Sequence, residues 1–445
     1  MTIAPVQTQL ATRVTSGRTI TATFGAAVTG SMLVAIIQRE GATGIPTIGQ
    51  VTDGINKWRA VNEVSNTTTR GLDIWVCENP QVGSTPTVTA QLNLFPTGAL
   101  SGMQMYLMEL SGTTGFEICD AYGVATTTTT TVTVSTNRAT TQAHDYVLSA
   151  VNTNAIAATI PSGWTLVLND NAERLWIASN DSGASTGVQS AAWTGLVGST
   201  SGCALIVAFR QTGVSANQPH LLQGSYYEPA LGNTYSKTWS SQQYPINPSP
   251  ASILVAAFTG AVYEPPPGGA AVRGSIYAGS VQAVTDSVSG YWRKMAEIGN
   301  DNVGGGNWSY WYCAHPPGGA TTLTGHWDVP IQTPAALLLE LAGCSTTLVT
   351  DSYGAVISQT SAGVSTAKPI ASGDLALSTF GAIFARPWNP GAGWTVAMSD
   401  TNGVGIHMIN LNTPAGVLTA SIGASSPGAD GLVCAFRPSR LVGVR

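Results

Sequence analysis

The segment "LDIWVCENP" at residues 72–80 returns as "WSYWYCAHP" at 308–316, with the same Trp-x-Cys-x-x-Pro frame. Such a recurrence can reflect composition, a pair of sites or a duplicated fold, and the flanking sequence decides between them. Upstream of the first copy lie "SMLVAII" (31–37) and "INKWRAV" (55–61); downstream come "TVTAQLN" (87–93) and "MYLMELSG" (105–112). The second copy sits in the same order among "ASILVAAF" (251–258), "YWRKMAEI" (291–298), "TLTGHWD" (322–328) and "LLLELAG" (337–343). Trp58 thus matches Trp292, Trp75 matches Trp311, Cys77 matches Cys313 and Glu109 matches Glu340. The offset stays between 236 (75 to 311) and 231 (109 to 340). Self-similarity at a fixed offset is the mark of a repeated structural unit.

A second phrase fills the space between these blocks. It runs "DYVLSAV" (145–151), "SGWTLVLND" (162–170), "RLWIASN" (174–180), "GVQSAAW" (187–193) and "ALIVAFR" (204–210). Its partner runs "GDLALSTF" (373–380), "AGWTVAMSD" (392–400), "VGIHMIN" (404–410), "GVLTASI" (416–422) and "LVCAFR" (432–437). Trp164 and Trp394 stand where Trp58 and Trp292 stood, and Trp176 and His407 where Trp75 and Trp311 did. The chain therefore reads A-B-A'-B'.

Windows with apolar residues at i, i+3, i+4 and i+7 are broken by Gly, Pro or Thr before two turns are complete, while short Val, Ile, Thr and aromatic runs bounded by Gly, Asn, Asp and Pro recur. The spacing predicts an all-β chain of four tandem antiparallel β-sandwich domains, of jelly-roll or immunoglobulin-like kind, arranged by internal duplication. The expected boundaries are an N-terminal arm 1–17, sandwich A 18–122, sandwich B 123–212, a linker 213–234, sandwich A' 235–353, sandwich B' 354–438 and a tail 439–445. A "D-x-Y-G" phrase, "DAYG" ending at Gly123 and "DSYG" ending at Gly354, joins A to B in both halves. The arm precedes A without an evident counterpart before A', which makes it an expected attachment segment whose removal would leave the fold intact. The run Thr126 to Thr131 is expected to be a half-exposed strand, since Thr combines β-propensity with a hydrated hydroxyl.

Composition narrows the function. Only 9% of the 445 residues are charged, the net charge is -5, and no Lys/Arg cluster occurs, so nothing provides the electrostatic footprint of a nucleic-acid partner. No apolar run approaches the ~20 residues of a membrane span, and the first residues lack the apolar core of a secretion signal. Synthesis in the cytoplasm without membrane insertion is expected. The six cysteines are scattered without a CxxC pair, which favours buried free thiols over a disulfide or zinc framework.

Catalytic and metal motifs read as structural. "GASTG" (183–187) matches the G-x-S-x-G elbow around Ser185, but that chemistry needs a strand-to-helix turn, and the flanks here predict a β-turn. Glu109 and Glu340 stand in apolar strands without a recurrent second carboxylate, so they are expected to accept hydrogen bonds from backbone or indole. His144, His220, His315, His326 and His407 show no metal-ligand spacing, even though His315 and His326 lie near Asp328. No catalytic residue, metal or cofactor is expected.

Sandwich A' is unusually aromatic, with Tyr291, Trp292, Trp308, Tyr310, Trp311, Tyr312 and Trp327 following an "EPPPGGA" loop at 264–270. Strand alternation puts Trp308, Tyr310 and Tyr312 on one face and Trp311 on the other, so one face needs a neighbour or stays exposed. Trp308, Tyr310, Trp311, Tyr312 and Trp327 are the candidate contact residues, toward sugar rings or another subunit, with internal packing as the remaining reading.

The phrases "SGWTLV" (162–167), "AGWTVA" (392–397), "MELSG" (108–112) and "LELAG" (339–343), in a Thr/Gly/Ala-rich chain of tandem sandwiches, resemble minor tail and other accessory virion proteins of long-tailed bacteriophages, particularly those of actinobacteria. The resemblance extends from about residue 18 to 438. It implies a non-enzymatic structural part of a virion, most directly a minor tail or tail-tip protein. Its implied partners are other virion proteins and further copies of itself, with host cell-wall polysaccharide as a further contact. A head decoration or head-fibre protein and a carbohydrate-binding module outside a virion are the alternatives.

Overall fold

The computed structural model is all-β, with no helix among its described residues. It describes residues 3–439 apart from 94–99, 197–201, 214–217, 228–235, 241–246, 264–275, 299–306, 382–390, 401–404, 423–428 and some shorter stretches. Apart from residues 93–95, the chain divides into two compact units at 215/216.

The first unit opens with β1 (Ala4–Leu10), β2 (Thr19–Thr23), β3 (Ser31–Gly41), β4 (Ile48–Thr52), β5 (Arg59–Ser65), β6 (Arg70–Glu78), β7 (Thr87–Leu92) and β8 (Leu100–Ser111). They form a large sheet β1-β8-β3-β6-β5 and a small one β2-β7-β4. This 1-8-3-6 over 2-7-4 order is that of a jelly roll with its fifth strand moved to the large sheet. Next come β9 (Cys119–Thr127), β10 (Val132–Ser135), β11 (Asp145–Thr153), β12 (Thr165–Asp170), β13 (Leu175–Ala184), β14 (Ser190–Trp193) and β15 (Gly202–Phe209). Their sheets, β12-β13-β11-β15-β9 and β10-β14, repeat the order without the fourth strand.

The second unit runs through β16 (His220–Tyr227), β17 (Ser236–Ser240), β18 (Ile253–Tyr263), β19 (Ile276–Ala278), β20 (Val281–Asp286), β21 (Trp292–Ile298), β22 (Asn307–Ala314), β23 (Leu323–Ile331) and β24 (Thr333–Ala342). The sheets β16-β24-β18-β22-β21 and β17-β23-β20 repeat the first order, with β19 an added partner of β18. It ends with β25 (Thr350–Ser358), β26 (Gly363–Ser365), β27 (Leu375–Gly381), β28 (Thr395–Asp400), β29 (Gly405–Asn410), β30 (Thr419–Ser421) and β31 (Ala429–Phe436), in sheets β25-β31-β27-β29-β28 and β26-β30.

The central strands are buried on both faces, which explains their unbroken apolar runs. Residues of β3 and β11 are all buried. One face of the first large sheet, with Val34, Ile36, Ile74, Val76 and Met108, shares a single core with Leu148, Ile177, Leu205 and Val207 of the second. The opposite face of the second, with Val147, Val151, Ala204 and Ile206, packs under Val134 and Trp193 of its own small sheet. The two large sheets of the unit therefore meet face to face, in four layers rather than as two separate beads. A side chain such as Leu205 stabilises both sandwiches at once, by about 1.5–3 kcal/mol on the scale of a fully buried aliphatic group.

Four boundaries move as a result. Residues 1–17 are not a free arm, because β1 pairs with β8 along Pro5 to Leu10. Its counterpart is β16 on β24, so the expected linker 213–234 carries the first strand of the third sandwich. The sequence hid both because "PVQTQL" and "LLQGSY" are polar edge strands without an apolar run. Removing residues 1–11 is therefore expected to lower the stability of the first unit by a few kcal/mol, through loss of edge pairing and of the Gln7 contact described below. Urea unfolding of the truncated chain measures it. The D-x-Y-G phrases lie inside β9 and β25, so each second sandwich begins before them. A Cβ on Gly123 would sit 1.8 Å from the Ser135 carbonyl oxygen, and one on Gly354 1.8 Å from that of Ser365. Only Gly lets the first strand cross the small sheet this closely. Gly123→Ala and Gly354→Ala should each cost about 2–3 kcal/mol, the scale of overpacking, read as a drop in urea midpoint.

Only Thr126 and Thr127 of the threonine run are strand, and the rest is a bend leading into β10. β9 ends at Thr127, whose hydroxyl bonds the Thr131 carbonyl at 2.9 Å and receives the Thr129 N–H at 3.0 Å. Hydroxyl-to-backbone bonding prevails over β-propensity here.

Candidate functional site

The recurrent first tryptophans are core anchors. Trp58, Trp164, Trp292 and Trp394 are all buried, each removing on the order of 200 Å² from water. Trp58 and Trp292 donate their indole N–H to the loop carboxylates of Asp53 (3.3 Å) and Asp286 (2.7 Å). Asp286 also takes the N–H of Val288 and Gly290, so one residue orders the turn and fixes the ring.

The aromatic face proposed for contact lies mostly inside. Trp308, Tyr310, Trp311 and Trp327 are buried, and only Tyr312 is half-buried. Trp311 and Trp327 belong to the sandwich interior with Trp292 and Phe258, the last meeting Trp327 edge to face at 6.0 Å. The opposite face finds its neighbour within the unit. The Tyr310 hydroxyl bonds that of Thr379 in the fourth sandwich, while β21 packs against β25 and β31. The expected exposure fails because the neighbour that strand alternation demands is the next sandwich, as in the first unit. Tyr291 is the exposed aromatic of the group, with Arg293 over its ring at 5.0 Å. The loop at 264–270 and Ser185 lie outside the described residues, and β13 runs through Ala184.

Glu109 and Glu340 form twin clamps. Glu109 accepts from Val28 N–H (2.7 Å), Ser31 hydroxyl (2.6 Å) and Gln7 Nε2 (2.5 Å). Glu340 accepts from Ser249 N–H (2.8 Å), Ser252 hydroxyl (2.8 Å) and Gln223 Nε2. Each ties the first strand and the entry to the third strand onto the eighth. The expectation of a carboxylate held by backbone donors is met at both positions. Glu109→Ala and Glu340→Ala are each expected to cost about 3 kcal/mol by stranding buried donors, measured by urea denaturation.

The sequence reading also missed a second carboxylate. Asp120, in the D-x-Y-G phrase, and Asp145, the first residue of β11, are both buried and interact. Asp120 accepts from the Thr141 N–H and, at 2.8 Å, its hydroxyl, while Arg210 stands 3.9 Å away. Burial pushes the Asp145 carboxyl up to about 8, with Asp120 adding to the rise and Arg210 opposing it. The duplicates are Asp351 and Asp374, of which Asp374 is fully buried. The signal was present as the recurrent Asp of "DAYG/DSYG" and of "HDYV/GDLA". A proton on Asp145 lets two carboxyls share a buried space without mutual repulsion.

Thiol chemistry is suppressed at the described cysteines. Burial pushes Cys313 up to about 11 and Cys203 to about 12, which holds both protonated. His326 pairs with the Thr285 hydroxyl at 2.9 Å, and His315 with the Pro250 carbonyl at 3.1 Å.

The outward faces of the small sheets share a feature. Cross-strand hydroxyl pairs occur at Thr23/Thr87 (3.0 Å), Ser135/Ser190 (2.7 Å), Ser240/Thr324 (2.6 Å) and Ser365/Thr419 (2.7 Å). Each sandwich thus turns a neutral hydroxyl pair to its outside. Comparison with family models, curated proteins and solved structures finds no match to this chain.

Proposed function

We propose that this protein is a non-enzymatic structural component of a bacteriophage virion, a minor tail or tail-tip protein that packs against neighbouring subunits. The observation that carries the reading is the arrangement of faces. The large sheets are consumed by internal packing in each unit, and the small-sheet faces turned outward carry neutral hydroxyl pairs. A surface of hydroxyls and backbone can be covered by a neighbour without stranding ions, because a buried hydroxyl is satisfied by one or two hydrogen bonds whereas a buried charge needs a partner. The few locally weak elements of a doubly covered sheet suit a part that must outlast proteases outside a cell. The resemblance in sequence style supports the same role.

Antibody raised against the chain, applied to purified particles of the phage that encodes it, tests the proposal. Gold label at the tail end supports the tail assignment, while label over heads transfers the protein to the decoration or head-fibre class. Particles that lack the chain by mass spectrometry overturn the virion role.

A further inference from the structure

A cleft of about 640 Å³ opens beside the junction of the third and fourth sandwiches, inside the second unit. Its walls include Ser345, Thr346, Thr347 and Ser439 on one side and His315 with Pro250 on the other. None of the described lining residues is charged. The volume falls within the ~300–1,000 Å³ usual for small-ligand sites.

The first unit carries different residues at the corresponding positions. His315 corresponds to Asn79, and both hold the same left-handed backbone, φ 53° in each, so the two side chains leave the chain at the same point. Asn79 donates through Nδ2 to the Gly115 carbonyl at 2.8 Å, bolting the turn to the loop after β8. In the second unit the loop residue is Thr346, and the imidazole bonds the Pro250 carbonyl instead. The neighbouring Phe116 is replaced by Thr347 at the same offset of 231, which exchanges a ring for a hydroxyl. Together these exchanges remove the bolt and put a hydroxyl where the first unit has a ring.

We infer that this cleft is a binding site for a neutral saccharide, one or two pyranose units in size. Each sugar hydroxyl is a donor and an acceptor and needs partners of both kinds, which Ser and Thr hydroxyls provide without a countercharge. His315 adds a ring nitrogen. Its Nδ1 is engaged with the Pro250 carbonyl, so Nε2 is the nitrogen left to meet a ligand hydroxyl. Among the described lining residues an anionic ligand would meet no cation, and a cationic one no carboxylate. This site is separate from the buried aromatic set, and it does not depend on the virion role.

The test uses the full chain and four probes: N-acetylglucosamine and the methyl glycosides of glucose, galactose and mannose. The ring signals of the five histidines are followed by NMR, with His315 assigned by its loss in His315→Gln. Saturable movement of the His315 signals by at least one sugar is expected, with a Kd in the millimolar range of a few net hydrogen bonds. The closure variant His315→Asn/Thr346→Gly/Thr347→Phe restores the residues of the first unit and adds a ring to the wall, and Thr347→Phe alone serves where the triple variant does not fold. In either, affinity should fall by about tenfold or more with Tm unchanged. Absence of binding by all four sugars up to about 20 mM overturns the assignment, as does binding that survives closure.

Discussion

Replacing Arg39 by Met is expected to cost the first unit roughly 3–5 kcal/mol, the usual scale for breaking a buried ion pair from one side. Arg39 is fully buried in β3 and donates through Nε to Asp73 and through Nη2 to Glu63 at 2.9 Å. Burial pulls its pKa down, but the two carboxylates more than offset this and raise it. Met fills most of the arginine volume, so the loss isolates the charge. Urea unfolding followed by tryptophan fluorescence measures it, with Asp73→Leu added in the rescue variant. Recovery of at least half the loss in Arg39→Met/Asp73→Leu is the expected companion result, because a buried pair replaced whole by apolar residues is often neutral. A single variant within about 1 kcal/mol of the parent would show that Asp73 and Glu63 reach water without Arg39.

The first unit is also expected to lose stability as pH rises from 5 to 8, opposite to a protein held by exposed carboxylate salt bridges. Asp145 is the cause. Its folded pKa lies near 8, against about 3.9 in an unfolded chain, so the folded state binds the extra proton between these values. The stabilisation is complete below about pH 4 and is lost progressively until the folded carboxyl ionises near 8. Asp73, pushed up to about 6 by burial even against Arg39, adds to the slope between pH 4 and 6. The groups facing Asp145 are Asp120, which raises it, and Arg210, which lowers it. Up to about 3 kcal/mol of the change across pH 5 to 8 belongs to Asp145, allowing for relaxation of the pair. Urea midpoints at pH 5, 6.5 and 8 read the slope, and Asp145→Asn should flatten it while stabilising the unit at pH 8. A midpoint that rises with pH in the parent would mean that Arg210 holds both carboxyls ionised.

Much of the architecture was legible because the duplication is written in aromatic anchors. Trp58, Trp164, Trp292 and Trp394 mark the same core position in each phrase, and the strand runs between them carry the β-pattern. The face-to-face packing of the large sheets was not legible, although "SMLVAII" and "ALIVAFR" were too uniformly apolar for sheets with one wet face. An apolar run shows that both faces are covered and leaves the covering element unspecified. The aromatic strand 307–314 shows the same limit: its pattern left sugar, another subunit and internal packing open for the second face, and Thr379 lies across from Tyr310. The edge strands β1 and β16 escaped because neither carries a sustained apolar run, and in β1 the burial is slight as well. The Asp120–Asp145 pair spans two phrases that were read as a link and a strand start, and only the fold brings them together. The cleft beside His315 required two differences between repeats, Asn79 against His315 and Phe116 against Thr347, to be placed on facing walls.

Hydrogen exchange on the full chain carrying Leu205→Ala tests the central claim, that paired sandwiches share one core and open as one body. Leu205 lies in β15 and is fully buried against the first large sheet. The account predicts that protection falls by a similar amount, about 3 kcal/mol, at the slowest amides of β3, β6 and β8 and at those of β11, β13 and β15. Loss confined to β9 through β15, with β3, β6 and β8 unchanged, would contradict it and return the two sandwiches to independent domains.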